Sequence, residues 1–315
     1  MIISASRRTD IPALFSDWLF KRMEEGYVLV RNPMNFHQVS RISLSPDVVD
    51  CIVFWSKNPR PMLHGLGNLE KYMYYFQYTL NAYGTDIEQN LPPLDERIET
   101  FRNLSERLGR QRVIWRYDPV LLNERYTIGW HVERYAHIAK ELSGSTDKCI
   151  ISFIDLYPGM KGRVKDRNVY ELHTEEKRRL AGELSAIAGG CGFLIDTCAE
   201  DIDLAEFSVG HAHCIDAGLI SRLLGCAVKA GKDKAQRPEC GCAPGIDIGL
   251  YNTCRNGCIY CYANHGDSAG RKSVQAYDVN SPLLCSRLTE LDRVTERKMK
   301  SLKEFCCYEF PGGIL

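Results

Sequence analysis

Short apolar runs that read as strands alternate with stretches of helical periodicity through the first two-thirds of the chain. This alternation constrains the fold more than any other feature of the sequence. Residues 2–6, 27–30, 48–55, 74–79, 113–117, 149–155 and 193–197 are rich in β-branched and aromatic side chains. Between them, 12–25, 95–108, 128–142 and 174–188 carry apolar residues at helical spacing. The first of these has Leu14, Phe15, Trp18, Leu19 and Met23 on one face, with Asp10 placed as an N-cap and Gly26 as a stop. Strands separated by helices predict parallel βαβ units. Adding 246–251 gives eight strands, the number of an α/β fold of the (βα)8 TIM-like barrel type, in which strand C-termini carry the site. A doubly wound sheet is the competing architecture, but no glycine-rich dinucleotide fingerprint follows any strand. The expected division is a barrel body over 1–238 and a cysteine-bearing segment over 239–315. That segment would hold the last strand, a loop and a covering helix around 293–303, with Leu291, Val294, Met299 and Leu302 available for packing.

Lys+Arg and Asp+Glu both number 40, so no overall field draws the chain to nucleic acid or an anionic membrane. No run approaches the roughly 18–20 apolar residues of a membrane span. Met1-Ile2-Ile3 leads into a strand-like run without a basic, then apolar, leader, so a cytoplasmic location is expected. In a reducing compartment the 14 cysteines point to metal or catalysis rather than disulfides. Three of them, Cys254, Cys258 and Cys261, lie in the stretch IDIGLYNTCRNGCIYCYAN. A tight loop with Gly257 inside turns successive sulfurs inward, and three thiolates on a [4Fe–4S] cluster leave one coordination position open. Zinc is the alternative if Cys240, Cys242 or His265 supplies a fourth ligand.

A second set is less compact in sequence. Cys240-Gly241-Cys242 precedes the last strand, Cys198 ends the seventh, and Cys214 closes the stretch His211-Ala212-His213-Cys214. Four thiolates from these positions would build a closed site for a second [4Fe–4S] cluster or for zinc. Each alone also reads as a small buried hydrophobe. Cys51, Cys149 and Cys191 read as core, and Cys226, Cys285, Cys306 and Cys307 show no pattern. Polar strand ends supply further candidates: Arg7, Arg8 and Asp10; Trp55, Ser56, Lys57 and Asn58; Gln77 and Thr79; Arg116 and Asp118; Asp155; Glu200. Arginines there call for a carboxylate or phosphate, or for one another's acidic neighbours. The basic run Lys229, Lys232, Lys234 and Arg237 reads as a solvated linker, and Arg271-Lys272 adds charge further on.

The Cys254–Cys258–Cys261 stretch, with Tyr260 before its last cysteine, resembles the cluster loop of the radical S-adenosylmethionine (SAM) superfamily. Its Cys-Tyr-Ala ending is most similar to the spore photoproduct lyase-like branch. The whole chain also resembles an uncharacterised bacterial family with such a cluster near its C terminus. The resemblance implies a [4Fe–4S] cluster on the three cysteines and SAM on the fourth iron. One-electron cleavage of SAM, fed by a ferredoxin- or flavodoxin-like donor, would give a 5′-deoxyadenosyl radical that acts on a small-molecule or macromolecular substrate. In that superfamily the cluster loop follows the first barrel strand, whereas here it follows the last. The resemblance therefore implies a circularly permuted barrel; an iron–sulfur appendage on an independent barrel is the other possibility. Where those enzymes hold the SAM amino group with a Gly-Gly-Glu-type stretch, this chain reads Arg7-Arg8-Thr9-Asp10. Arg7, Arg8, Asp10, Arg116 and Tyr260 are thus the expected cofactor-binding residues, with Asp10 equally placed to be only a cap. Two other functions fit the same residues. One is an iron–sulfur electron-transfer or sensing protein without SAM, and the other a zinc-stabilised nucleic-acid-binding or repair protein.

Overall fold

The computed structural model describes residues 1–264 and 274–304. In chain order the elements are β1 (Ile2–Ala5), α1 (Ile11–Leu14), α2 (Ser16–Glu25), β2 (Tyr27–Asn32), β3 (Asn35–Ser43), β4 (Cys51–Ser56) and β5 (Tyr74–Thr79). Then come α3 (Leu94–Leu108), β6 (Val113–Val120), α4 (Ile128–Glu141), β7 (Lys148–Phe153), α5 (Lys161–Lys165) and α6 (Thr174–Gly190). The last are β8 (Leu194–Thr197), β9 (Gly210–His211), α7 (Ala217–Leu224), β10 (Ile246–Asp247) and β11 (Arg293–Glu296).

Eight strands form one sheet in the order β10-β1-β4-β5-β6-β7-β8-β9, and neighbouring strands within it run parallel. Side chains alternate between its faces along each strand. Ile3, Ile52, Phe54, Phe76, Trp115 and Ile151 bury one face against the helices α1 to α4 and α6. Ile2, Val53, Tyr75, Ile114 and Ile150 bury the other against Leu219 and Ile220 of α7 and against Cys214, Cys240 and Cys242. Burial on both faces is why these strands are near-continuous apolar runs in sequence. Each fully buried Ile, Val or Phe stabilises the sheet by about 1.5–3 kcal/mol.

Of the expected strand 246–251 only β10, Ile246–Asp247, forms, and it lies beside the N-terminal strand with Ile246 opposite Ile3 in parallel register. The sheet's edges are β10 and β9, and between the segments that flank them Ala243 N–H donates to Ile215 C=O at 2.9 Å. The fold is therefore a mixed α/β domain built on an eight-stranded parallel sheet.

Three expectations change. The strand at 27–30 does not join the large sheet; β2 turns through Pro33 and pairs antiparallel with β3, which the sequence reading missed. Its place among the eight is taken by the two-residue β9. No helix forms around 293–303 among the described residues; Arg293–Glu296 is β11, parallel to β3. The open edge of β3 offers backbone partners that the β-branched Val294 and Thr295 accept, and Leu291 and Val294 are left exposed. Met299 and Leu302 do pack against the main cores. Finally, 12–25 is split at Phe15, whose extended φ of −141° separates α1 from α2. Among the described residues no helix is long and apolar enough to cross a membrane.

Candidate functional site

At the C-terminal end of β10 the Asp247 carboxylate accepts Ser4 Oγ at 2.9 Å, Ser6 Oγ at 2.6 Å and Arg7 N–H at 2.8 Å. This one acidic side chain fixes the turn after β1, and sequence reasoning did not single it out. The turn presents Arg7, whose guanidinium lies 5.1 Å from the Trp55 ring centre; Arg116 lies 5.4 Å from the same ring. The Nη2 atom of Arg7 is buried and has no hydrogen-bond partner among the described residues, and the same holds for Thr9 Oγ1 and Asn264 Oδ1. Arg8 turns instead toward Gly249 C=O at 3.4 Å and the Tyr251 ring. Asp10 is buried and fully engaged. It caps α1 through Ala13 N–H at 3.0 Å and accepts Lys57 N–H at 2.8 Å and Asn256 Nδ2 at 2.9 Å. Burial outweighs these bonds and pushes its carboxyl above the usual range.

The loop with Cys254, Cys258 and Cys261 is held from several sides. Asn264 Nδ2 donates to Cys254 C=O at 2.8 Å, Asn90 Nδ2 to Arg255 C=O at 2.8 Å, and Ile259 N–H to Ile87 C=O at 3.0 Å. Gly257 takes φ +69°, and a Cβ there would meet Asn90 Nδ2 at 2.8 Å, so the turn that redirects the second cysteine needs glycine. Burial drives the Cys254 thiol up to about 12, with Asp10 and Cys261 adding to it. Burial raises Cys258 well above its ordinary value too, Lys57 opposing and Glu88, Cys254 and Cys261 reinforcing. The three thiols are thus near enough to feel one another, with a buried lysine close to one of them.

That lysine belongs to a network around Tyr260. Lys57 Nζ reaches Glu88 Oε1 and the Tyr260 hydroxyl, both at 2.8 Å, and Tyr260 donates to Glu88. Arg97 adds a contact to Glu88 at 3.5 Å. Burial works against the Glu88 charge, but Lys57 and Arg97 prevail and hold its carboxyl below the usual range. The Tyr260 hydroxyl is thereby committed to the protein, and its place in the motif is explained by anchoring the loop to β4 and to the segment after β5. Sequence reasoning missed Glu88, which lies in a polar stretch without periodicity.

The second cysteine set is brought together. Cys198 Sγ lies 3.2 Å from Cys214 Sγ, and Cys240 and Cys242 pack in the same cluster as Cys214. Ile215 N–H donates to Cys242 Sγ at 3.4 Å and Arg116 Nη1 to Cys214 Sγ at 2.8 Å. Arg116 also grips Asp118 through Nε at 2.9 Å. Among the described residues no group of three or more His, Cys, Asp or Glu side chains is arranged to hold a metal ion as it stands. Other strand-end candidates pair locally: Gln77 Nε2 with Cys214 C=O at 2.9 Å, Glu200 with Phe153 N–H at 2.9 Å, and Asp155 with Arg237 at 2.6 Å. Arg237 stays exposed, as the linker reading expects, and its ion pair with Asp155 lies at the surface. His265, Arg271, Lys272, Cys306 and Cys307 lie outside the described residues.

A family model, Domain of unknown function (DUF1848), matches residues 2–263. The chain belongs to the DUF1848 family. The matched span takes in the large sheet and both cysteine sets of this DUF1848 protein. No match was found among curated proteins or among solved structures.

Proposed function

We propose that this DUF1848 protein is a radical SAM-type enzyme on a permuted (βα)8 barrel. In this reading Cys254, Cys258 and Cys261 hold a [4Fe–4S] cluster whose remaining iron is open to SAM. The observation that carries it is the junction between the turn after β1 and the cysteine loop. There three thiols share one anchored loop whose Tyr262 hydroxyl donates to Arg7 C=O at 3.0 Å, and buried polar atoms of Arg7, Thr9 and Asn264 have no partner among the described residues. An unpaired buried polar atom costs about 1–3 kcal/mol, which a bound ligand recovers. One donor and two acceptors suit a carboxylate and an ammonium, the two ends of the amino-acid part of SAM. The donor set fits as well, since three thiols on one loop suit a thiophilic iron cluster, while the carboxylates they feel, Asp10 and Glu88, are already engaged by Asn256, Lys57 and Arg97.

When bound, cluster and SAM would supply one-electron cleavage to a 5′-deoxyadenosyl radical, chemistry that belongs to the cofactors. The chain's own contribution is placement. Arg7 would hold the SAM carboxylate, Thr9 Oγ1 and Asn264 Oδ1 would accept from its ammonium, and Trp55 between two guanidiniums would wall the mouth from water. Lys57 would offset thiolate charge near Cys258, while Asp10 and Tyr260 keep the loop seated. The barrel reading is supported by β10 beside β1 and by the backbone bond from Ala243 to Ile215 across the remaining seam. An external one-electron donor of ferredoxin or flavodoxin type and a cytoplasmic setting go with this function.

The test is anaerobic reconstitution followed by iron and sulfide analysis and EPR of the reduced protein with and without SAM. About four irons per chain and a spectrum altered by SAM are expected, both absent from Cys258→Ala. Iron without a SAM response would instead establish an electron-transfer or sensing protein, and a chain that takes up no iron would end both readings.

A further inference from the structure

We propose that Cys198, Cys214, Cys240 and Cys242 form a closed tetrathiolate site for a single zinc ion that staples the seam of the large sheet. The four residues come from three separate segments: the exit of β8, the exit of β9 and the approach to β10. Packing of small hydrophobes does not require sulfur to meet sulfur, yet here Cys198 Sγ lies 3.2 Å from Cys214 Sγ, and Cys240 and Cys242 pack into the same cluster, with Cys242 Sγ accepting from the N–H of the residue after Cys214. Thiols are weak hydrogen-bond donors, so a buried knot of four has little to hold it together unless the protons leave and a cation enters. The surroundings suit that exchange. Ile215 N–H and Arg116 Nη1 already donate to two of the sulfurs. Four thiolates around a divalent ion carry a net charge of −2, and the guanidiniums of Arg116 and Arg7 flank the group. The Cys-Gly-Cys turn is moulded tightly, since a Cβ on Gly241 would come within 2.8 Å of His213 Nε2.

The spacing selects the metal. A tetrahedral ion with Zn–S of about 2.3 Å keeps its sulfurs about 3.8 Å apart, whereas a cubane holds its thiolates much wider. The Cys198–Cys214 separation of 3.2 Å has to open by only about half an ångström to accept zinc. The position gives the ion a task. Strands β9 and β10 are two residues long, form the two edges of the sheet, and have the Ala243–Ile215 backbone bond between their flanking segments. A tetrathiolate ion joins these segments directly and fixes the approach to β10, hence the cysteine loop beyond it. This inference does not rest on the radical SAM reading, because no residue of the first loop takes part.

The experiment is metal analysis of the full chain purified anaerobically without added metal, beside Cys254→Ala/Cys258→Ala/Cys261→Ala and Cys240→Ser/Cys242→Ser. Zinc at about one per chain is expected in the first two and is expected to be lost from the third. Because misfolding of the third variant would also release zinc, zinc-edge X-ray absorption of the wild-type chain supplies an independent reading: four sulfur neighbours near 2.3 Å are expected. Absence of zinc from the wild type, iron retained in the triple variant, fewer than four sulfur neighbours, or a Cys198–Cys214 disulfide found by mass spectrometry would each overturn the proposal.

Discussion

Asn256 Nδ2 donates to the Asp10 carboxylate at 2.9 Å, a buried bond between the turn after β1 and the cysteine loop after β10. The same carboxylate caps α1 and accepts Lys57 N–H, so three parts of the chain meet on one side chain. Asn256→Ala removes one donor from a buried acceptor and is expected to cost about 1–3 kcal/mol. Thermal unfolding gives the stability term. If the bond seats the loop, iron will also leave the reconstituted variant faster to a chelator; an unchanged release rate would show that the bond serves only the fold.

Glu88 offers a larger effect. Replacing it by Gln leaves the buried Arg97 and the partly buried Lys57 without a carboxylate, a change of the kind that costs up to about 3–5 kcal/mol. The Glu88 carboxyl is held below its ordinary value, so its stabilising contribution is present above the unfolded value and disappears as pH falls. Denaturant titrations of wild type and Glu88→Gln should therefore converge on acidification, and curves that stay parallel would contradict the assignment.

His131 sets a second pH window. Its ring bonds Tyr117 OH and Leu121 C=O, both at 2.8 Å, and burial pushes it down to about 4. Between the unfolded value near 6.5 and about 4 the unfolded chain binds the extra proton, so stability falls as pH drops through that interval. The loss amounts to about 3 kcal/mol at about 1.4 kcal/mol per unit. His131→Gln should be less stable at neutral pH and flatter across this window. A variant with the wild-type slope would place the acid sensitivity elsewhere.

Arg7 tests the cofactor assignment. Loss of a charge-assisted hydrogen bond of about 1.5–3 kcal/mol predicts SAM binding weaker by roughly 10- to 150-fold in Arg7→Ala. Cluster content should stay at the wild-type level. Titration of SAM followed by EPR reads both. Equal loss of iron and SAM response would make Arg7 a structural residue.

The large sheet was legible because strands buried on both faces leave unbroken apolar runs, and α3, α4 and α6 begin within a residue of where their periodicity begins. Pairing partners were not legible. Tyr27–Asn32 has the composition of a sheet strand, but Pro33 and Asn35 turn it back on β3, and Gly210–His211 has nothing in its own sequence to announce a strand. The charged stretch at 293–303 satisfies helical spacing, yet the free edge of β3 decides its conformation over Arg293–Glu296. In the site, the first cysteine loop was readable because its spacing is local. The contacts among Cys198, Cys214, Cys240 and Cys242 depend on how β8, β9 and β10 are arranged, which no local pattern encodes. Asp247 and Glu88 went unnoticed for the same reason, since their partners lie far away in sequence.

The pairing of Ile246 with Ile3 also orders events in time. On a translating ribosome β1 can find β4 early, but its other edge waits until the chain has been extended by more than two hundred residues. An exposed edge of a parallel sheet is a template for unwanted pairing while it waits. Assembly of the cysteine loop is correspondingly a late event, and nascent chains stalled before β10 should depend on chaperones in a way that completed ones do not.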